Sequence, residues 1–280
     1  MSCVPLADLA SVAENYGQLT GVLAGFAFTA LVLLLTPAQG GRRTAGGDTG
    51  VPLSLFVAFI ALILATLLYS VLAGENMDGA RARAATAELV DGLVFGLAVV
   101  TLLQGVTLLL READIDPAAV SVARFVTVVA FPTIATYFIA QGAPDTLAAR
   151  AALHGGDCTA TGPALGVWLT AGGAVVLTAS LARPVQRRLA AYAGICRVAA
   201  PLTVFLAAAV AAMVSGDIAT RTPTFLMSPL ALSWFLVLAA VLLTVLGLMF
   251  SAAGATAGPV AAPAVPDGAD RGDDASVAVR

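Results

Sequence analysis

The sequence predicts an all-α integral membrane bundle of seven transmembrane helices. Hydrophobic residues make up 59% of the 280-residue chain and charged residues 11%, whereas an ordinary soluble domain contains about 45–50% and about 25% of these classes. The mean hydropathy of the chain is +0.95. A soluble fold of this length could not bury that much apolar surface and still present a polar exterior. We therefore expect lipid hydrocarbon to surround most of the polypeptide.

Seven charge-free stretches approach or exceed the roughly 20 residues that a membrane-spanning helix needs. They are residues 18–36, 51–73, 92–110, 125–142, 163–182, 198–216 and 229–250. Each stretch is apolar on all sides, and a helix satisfies its own backbone hydrogen bonds within lipid. Residues 17–253 are therefore predicted to form the transmembrane domain, between an extracytoplasmic leader of residues 1–16 and a disordered cytoplasmic tail of residues 254–280. Asp145 is predicted to cap a separate short interfacial helix over residues 145–153.

The distribution of arginine predicts the orientation of the bundle, because basic residues are retained on the cytoplasmic side of a membrane. With the N-terminus outside, the inner set is Arg42, Arg43, Arg111, Arg124, Arg183, Arg187, Arg188 and Arg197, and the outer set is Arg81, Arg83, Arg150 and Arg221. The inner set is the larger, so we predict an outside N-terminus and a cytoplasmic C-terminus. The predicted location is the cell (plasma) membrane, and the predicted partner is the lipid bilayer.

The counts of reactive residues exclude several chemistries. Every basic residue is arginine, so a retinal Schiff base, a phosphate-binding loop lysine and a lysine nucleophile are excluded. One histidine and three scattered cysteines exclude multi-histidine metal sites and a CxxC redox pair. The net charge of −3 provides no electrostatic basis for nucleic-acid binding. We predict no metal, no cofactor and no catalytic residue.

An acid followed by glycines at four-residue spacing occurs in two predicted spans. The residues involved are Glu14, Gly21 and Gly25 in the first span, and Glu88, Gly92 and Gly96 in the third, with Asp91 beside them. The GxxxG spacing allows two helices to approach closely in lipid, so these four glycines are predicted to pack helices within the chain, against another membrane protein or in a homo-oligomer. Together with Asp217, the acids are predicted to form an acidic outer rim that binds a cation or protons. The alternative is that these carboxylates only end helices in the headgroup layer.

Two arginines lie near the cytoplasmic ends of the fourth and sixth spans. Arg124 precedes Pro132, and Arg197 lies four residues before Pro201. Guanidinium groups at similar depth favour an inner site for an anion or a lipid headgroup. The alternative is that both side chains extend to the headgroups, or pair with Glu112 and Asp114.

Two further patterns concern the outer side. Cys3 and Cys158 would both face an oxidising exterior, which permits a disulfide, with two separate thiols as the alternative.

The segment from Glu75 through Asp78 to Arg83, followed by Gly92, resembles part of the CDP-alcohol phosphotransferase signature, D-x2-D-G-x2-A-R-x8-G-x3-D-x3-D. That resemblance implies a multi-span enzyme that transfers a phosphoalcohol. Gly96 and Val100 stand at the last two acidic positions, so a metal ligand and the base of that family's reaction are absent.

Three function classes follow from these features. The first is a membrane protein that passes or senses a small solute, an ion or a proton between the outer carboxylates and the inner arginines. The second is a scaffold or accessory subunit of a membrane complex. The third is a membrane-embedded enzyme that modifies lipids.

Overall fold

The computed structural model describes residues 9–36, 50–75, 77–113, 115–154 and 164–255, with the side chains of residues 77–79 and 164 left undescribed. Within these ranges the regular structure is helical and contains no strand. This confirms the predicted all-α class. Six of the helices are long and apolar enough to cross a membrane, which supports a multi-pass membrane protein.

Seven helices account for the described part of the chain. They are α1 (Leu9–Leu35), α2 (Gly50–Ala73), α3 (Met77–Glu112), α4 (Pro117–His154), α5 (Ala164–Ser180), α6 (Arg183–Thr220) and α7 (Pro229–Ala253). Each predicted span falls on one of them. Helix α5 has 17 residues, which gives a length of about 25 Å and makes it the shortest of the seven.

Helix α3 occupies the centre of the bundle. It packs against α1, α2, α4 and α6, while α7 packs against α4, α5 and α6. Val94, Leu97 and Val100 of α3 are completely buried. Since most faces of α3 meet another helix, polar groups on α3 are directed into the protein and not into lipid.

Helix α5 runs along two neighbours over its whole length. A Cβ built on Gly166 would lie 2.6 Å from the Cβ of Ala140 in α4. At the other end of α5, the hydroxyl of Ser180 lies 3.1 Å from the hydroxyl of Ser251 in α7. A Cβ on Gly247 of α7 would lie within 3.0 Å of both Leu177 of α5 and Val128 of α4, so residue numbers fall along α4 as they rise along α5, and the two helices are antiparallel. The neighbouring pairs Gly173–Thr244 and Leu177–Gly247 rise together, which makes α5 parallel to α7.

The outer surface of the bundle is apolar. Trp168, Leu33 and Ile195 are 75%, 70% and 70% exposed. Contiguous apolar surface of this kind is stable in hydrocarbon and costly in water. The exterior is therefore suited to the lipid environment that the composition predicts.

The structure bears differently on the predictions for the leader, the interfacial helix, the disulfide and the tail. Helix α1 begins at Leu9 and buries Leu9 and Ala13 in the core; the extracytoplasmic location of residues 1–16 remains a prediction. The separate helix over 145–153 is wrong: α4 continues through Pro144, with Asp145 inside it. Cys3, Cys158 and residues 256–280 lie outside the described residues, so the disulfide and the tail remain predictions.

Candidate functional site

The charged residues divide between the two ends of the bundle. We call one the carboxylate end, where α1, α3 and α7 begin and α2, α4 and α6 end; its acids are Glu14, Glu75, Glu88, Asp91, Asp145 and Asp217. We call the other the arginine end, where Arg111, Arg124 and Arg197 lie. Contacts between distant segments hold the carboxylate end together, including a hydrogen bond of 3.3 Å from the backbone amide of Met227 to the hydroxyl of Thr86.

The four acids predicted to form one rim lie at the same end but do not meet in one site. Asp91 is 1% exposed and accepts a hydrogen bond of 2.6 Å from Ser215 of α6. Asp217 is exposed and forms an ion pair of 2.8 Å with Arg221, the residue that follows α6. Glu14 lies on the exposed face of α1. Of these four acids, only Glu88 lines the cavity between α1, α3 and α4.

This cavity has a volume of about 620 Å³ and lies between α1, α3 and α4. Most of its lining residues are aliphatic, aromatic or glycine. Its polar groups are Tyr16, Tyr69, Glu88, Gln141 and Asp145. A volume of this size is within the range of small-molecule sites, which combine apolar walls with a few polar groups. We refer to it as the α1–α4 cavity.

The two carboxylates of the α1–α4 cavity are held at one level by the packing of α4 on α3. A Cβ on Gly142 would lie 2.8 Å from Cδ2 of Leu89, and the hydroxyl of Thr146 donates to the carbonyl of Ala85 over 3.5 Å. Glu88 and Asp145 are next to these contacts and interact electrostatically. Oε2 of Glu88 and Oδ1 of Asp145 are buried and have no hydrogen-bond partner within the described part of the chain. Buried carboxylate oxygens normally have partners, so this pair is unusual.

An aromatic cluster adjoins the carboxylates. The rings of Tyr16 and Tyr69 stack with centroids 5.4 Å apart, and Phe95 meets Tyr16 edge-on at 5.3 Å. The hydroxyl of Tyr69 lies 4.0 Å from the position of a Cβ on Gly92, one turn of α3 beyond Glu88. Tyr69 is 3% exposed, so the aromatic surface that the cluster presents to the cavity beside Glu88 belongs mainly to Tyr16 and Phe95.

The α1–α4 cavity opens sideways. Leu19 of α1 and Ile134 and Phe138 of α4 line it and are 45%, 47% and 60% exposed. Helix α1 packs mainly on α2, and the cavity separates it from α4. The opening thus faces the apolar surroundings of the bundle.

A second polar network crosses the carboxylate end on the other face of α3. Arg83 forms an ion pair of 2.6 Å with Glu75 and donates a hydrogen bond of 2.6 Å to the carbonyl of Arg221. Glu75 and Arg83 also line a cavity of about 110 Å³ that Asp91 and Ser215 reach. These contacts join α2, α3 and α6, so they stabilise the bundle. The side chain of Asp78, which the phosphotransferase resemblance singles out, lies outside the described residues.

The structure does bring Arg124 and Arg197 together, at the last turn of α7. Nη2 of Arg124 donates to the carbonyl of Ser251 over 2.9 Å and to Oε1 of Gln186. Nε of Arg197 lies 3.4 Å from the carbonyl of Ala253. The last carbonyls of a helix lack intrahelical partners and carry a partial negative charge. Both guanidinium groups therefore cap α7.

The four glycines predicted to pack helices differ in their surroundings. No atom lies within 4 Å of a Cβ built on Gly21 or Gly25, which are on the exposed face of α1. A Cβ on Gly92 would meet its nearest neighbours at 4.0 Å, and one on Gly96 would lie 3.2 Å from the Cβ of Ala135. Among the residues that the structure describes, tight packing is thus found at Gly96 and is absent at Gly21 and Gly25.

Sequence reasoning missed Asp145 as a site residue, because an acid beside a proline was interpreted as a helix cap. It also missed Tyr69, whose position four residues before the end of the charge-free stretch 51–73 carries no signal of a nearby carboxylate. Comparisons with known protein families, with curated proteins and with solved structures found no match. The chemistry of the α1–α4 cavity follows from its own residues.

Proposed function

We propose that this protein binds a small solute in the α1–α4 cavity and either passes it across the membrane or senses it there. The observation that carries the proposal is a cavity of about 620 Å³ lined by the side chains of Glu88 and Asp145. Each of these carboxylates has one buried oxygen without a hydrogen-bond partner in the described part of the chain. Burying an unpaired carboxylate is costly. A solute that supplies the missing partner would be stabilised by the same interactions.

We also propose that all seven helices span the cell membrane, with the N-terminus outside. Helix α5 lies alongside α4 and α7, which are both long enough to span the membrane. This position supports the proposal that α5 also crosses it. The concentration of arginine at one end supports a cytoplasmic location for that end. In this orientation the carboxylates of the α1–α4 cavity lie toward the outside. A reporter fused after Arg280 should be active only in the cytoplasm, and activity only outside would contradict the orientation.

The experiment uses purified protein reconstituted in liposomes. Solutes from several classes, including protons, alkali cations, small zwitterions and organic cations, are applied while the charge moved across the bilayer and the unfolding temperature are recorded. We expect at least one class to move charge or raise the unfolding temperature. Glu88→Gln should abolish that response because it removes the charge with little change in shape.

The matched control is Glu14→Gln, which makes the same chemical change on the exposed face of α1, outside the α1–α4 cavity. It should respond as the unmodified protein does. If no class gives a response that depends on Glu88, the proposed function is wrong, and a scaffolding role takes its place.

A further inference from the structure

We infer that the α1–α4 cavity takes an amphipathic organic cation, a molecule with one positive charge on an apolar body. This inference rests on the proposed function and specifies the class of solute. The charge, the length, the aromatic lining and the sideways opening of the cavity each support it.

The charge of the lining is negative. Glu88 and Asp145 line the α1–α4 cavity, and no arginine is among its described lining residues. Arg81 interacts electrostatically with Asp145 from the start of α3, but does not line the cavity. Arg81 acts on Asp145, and no basic side chain of the described lining lies beside Glu88. A cationic solute would complement the charge of Glu88.

The apolar part of the cavity sets the shape of the solute. Along α3 the lining runs from Glu88 to Val99, and the eleven helical steps between them correspond to about 16 Å. Both carboxylates lie at one end of this length, and the other end is lined by apolar residues such as Leu23, Val99 and Phe131. A small hydrated ion would leave that surface uncovered. An apolar body attached to the charge would cover it and make van der Waals contacts with these residues.

The aromatic cluster favours an organic cation over an inorganic one. Tyr16, Tyr69 and Phe95 line the α1–α4 cavity on the side of Glu88. The faces of aromatic rings attract weakly hydrated cations such as quaternary ammonium groups. A ring cluster next to a carboxylate combines both kinds of attraction at the charged end.

The sideways opening suits a solute dissolved in lipid. Leu19, Ile134 and Phe138 are exposed at the mouth of the cavity, where lipid surrounds the bundle. A molecule with an apolar body partitions into the bilayer and can reach this mouth without crossing water. An amphipathic cation therefore matches the access route as well as the interior.

The test measures equilibrium binding to the full chain in nanodiscs of zwitterionic lipid, with empty nanodiscs subtracted. Three probes separate the requirement for a positive charge from the requirement for an apolar body. Tetraphenylphosphonium carries a positive charge on an apolar body, tetraphenylborate has the same shape with a negative charge, and tetramethylammonium has the positive charge alone. We expect saturable binding of tetraphenylphosphonium only.

Two variants locate the binding. Glu88→Gln should weaken tetraphenylphosphonium binding by about tenfold or more, because it removes the carboxylate charge that attracts the phosphonium ion in a site of low dielectric constant. Gly92→Leu should also weaken it, because a side chain at Gly92 has space to enter the cavity. The second variant keeps the test valid if the first fails to fold. Glu14→Gln should bind as tightly as the unmodified chain.

The outcomes separate this inference from the proposed function. If tetramethylammonium, an alkali cation or protons act through Glu88 while tetraphenylphosphonium does not bind, the inference is overturned and the proposed function stands. Binding of tetraphenylborate as tight as that of tetraphenylphosphonium would also overturn it. If no solute acts through Glu88, both fail.

Discussion

Replacing Gly247 with alanine tests the packing of α7 on α4 and α5. A Cβ on Gly247 would lie 2.5 Å from Cδ2 of Leu177 and 3.0 Å from the carbonyl oxygen of Val128. Leu177 is 1% exposed and has little space to move. The carbonyl belongs to the π-helical turn Val126–Ala130 of α4, which precedes Pro132. The added methyl group must therefore displace backbone or a buried side chain.

The expected free energy combines two opposing effects. Inserting a methyl group into a well-packed core costs about 1–3 kcal/mol, whereas alanine is more favourable than glycine inside a helix by about 0.5–1 kcal/mol. We expect Gly247→Ala to be less stable than the unmodified protein by about 0.5–2 kcal/mol after this offset. Its matched control is Gly21→Ala, where no atom lies within 4 Å of the new methyl group. That variant should be unchanged or more stable by up to about 1 kcal/mol.

The assay is thermal unfolding of both variants in the same detergent at one heating rate, followed by tryptophan fluorescence. Gly247→Ala should unfold at a lower temperature than the unmodified chain, and Gly21→Ala at an equal or higher one. Gly247→Ala unfolding at or above the temperature of the unmodified chain would refute the close approach of α7 to α4. A loss of stability in Gly21→Ala would show that its face of α1 packs against something.

Three further substitutions are predicted for the same unfolding assay. Arg124→Gln removes a charged donor from the end of α7 and should cost about 1.5–3 kcal/mol; an unchanged unfolding temperature would argue against the cap. Ser215→Ala leaves buried Asp91 without the hydroxyl that donates to it, and should lower the free energy of unfolding by about 1–3 kcal/mol. The control is Ser215→Thr, which keeps the hydroxyl. Asp217→Asn breaks an exposed ion pair with Arg221 and should change stability by less than about 1 kcal/mol; a larger loss would mean that the pair is buried in the membrane.

Much of the fold was predictable because lipid imposes a simple requirement on the chain. A helix must present about 20 apolar residues to cross hydrocarbon, and a charge inside such a stretch is rare enough to mark its ends. The interpretation was wrong where a charge lies within a helix. Asp145 continues α4 because its carboxylate faces the α1–α4 cavity, so its cost is lower than it would be in lipid. At the start of α1 the residue involved is apolar: Leu9 is buried in the core, and the helix includes it.

The candidate site was less predictable than the fold. The spacing of Glu88, Gly92 and Gly96 correctly places these residues along one side of α3, but spacing does not state which helix that side meets. Gly96 meets Ala135 of α4 closely, whereas Gly92 lies beside open space. At Gly21 and Gly25 of the similar stripe in α1, an added Cβ would meet no other helix of the described part of the chain within 4 Å. One sequence pattern thus has two outcomes, according to the neighbours that tertiary packing provides.

The amino-acid sequence by itself determined that this protein is helical and suited to a bilayer, because both properties depend on local composition and on the period of one helix. Only the tertiary structure decided which acids share a cavity. It placed Asp91 against Ser215 of α6, and it placed Glu88, three residues away on α3, in the α1–α4 cavity with Asp145, 57 positions further along the chain. The physical reason is that the side of each helix facing a neighbour is set by packing between helices, and such packing depends on contacts that no single segment contains.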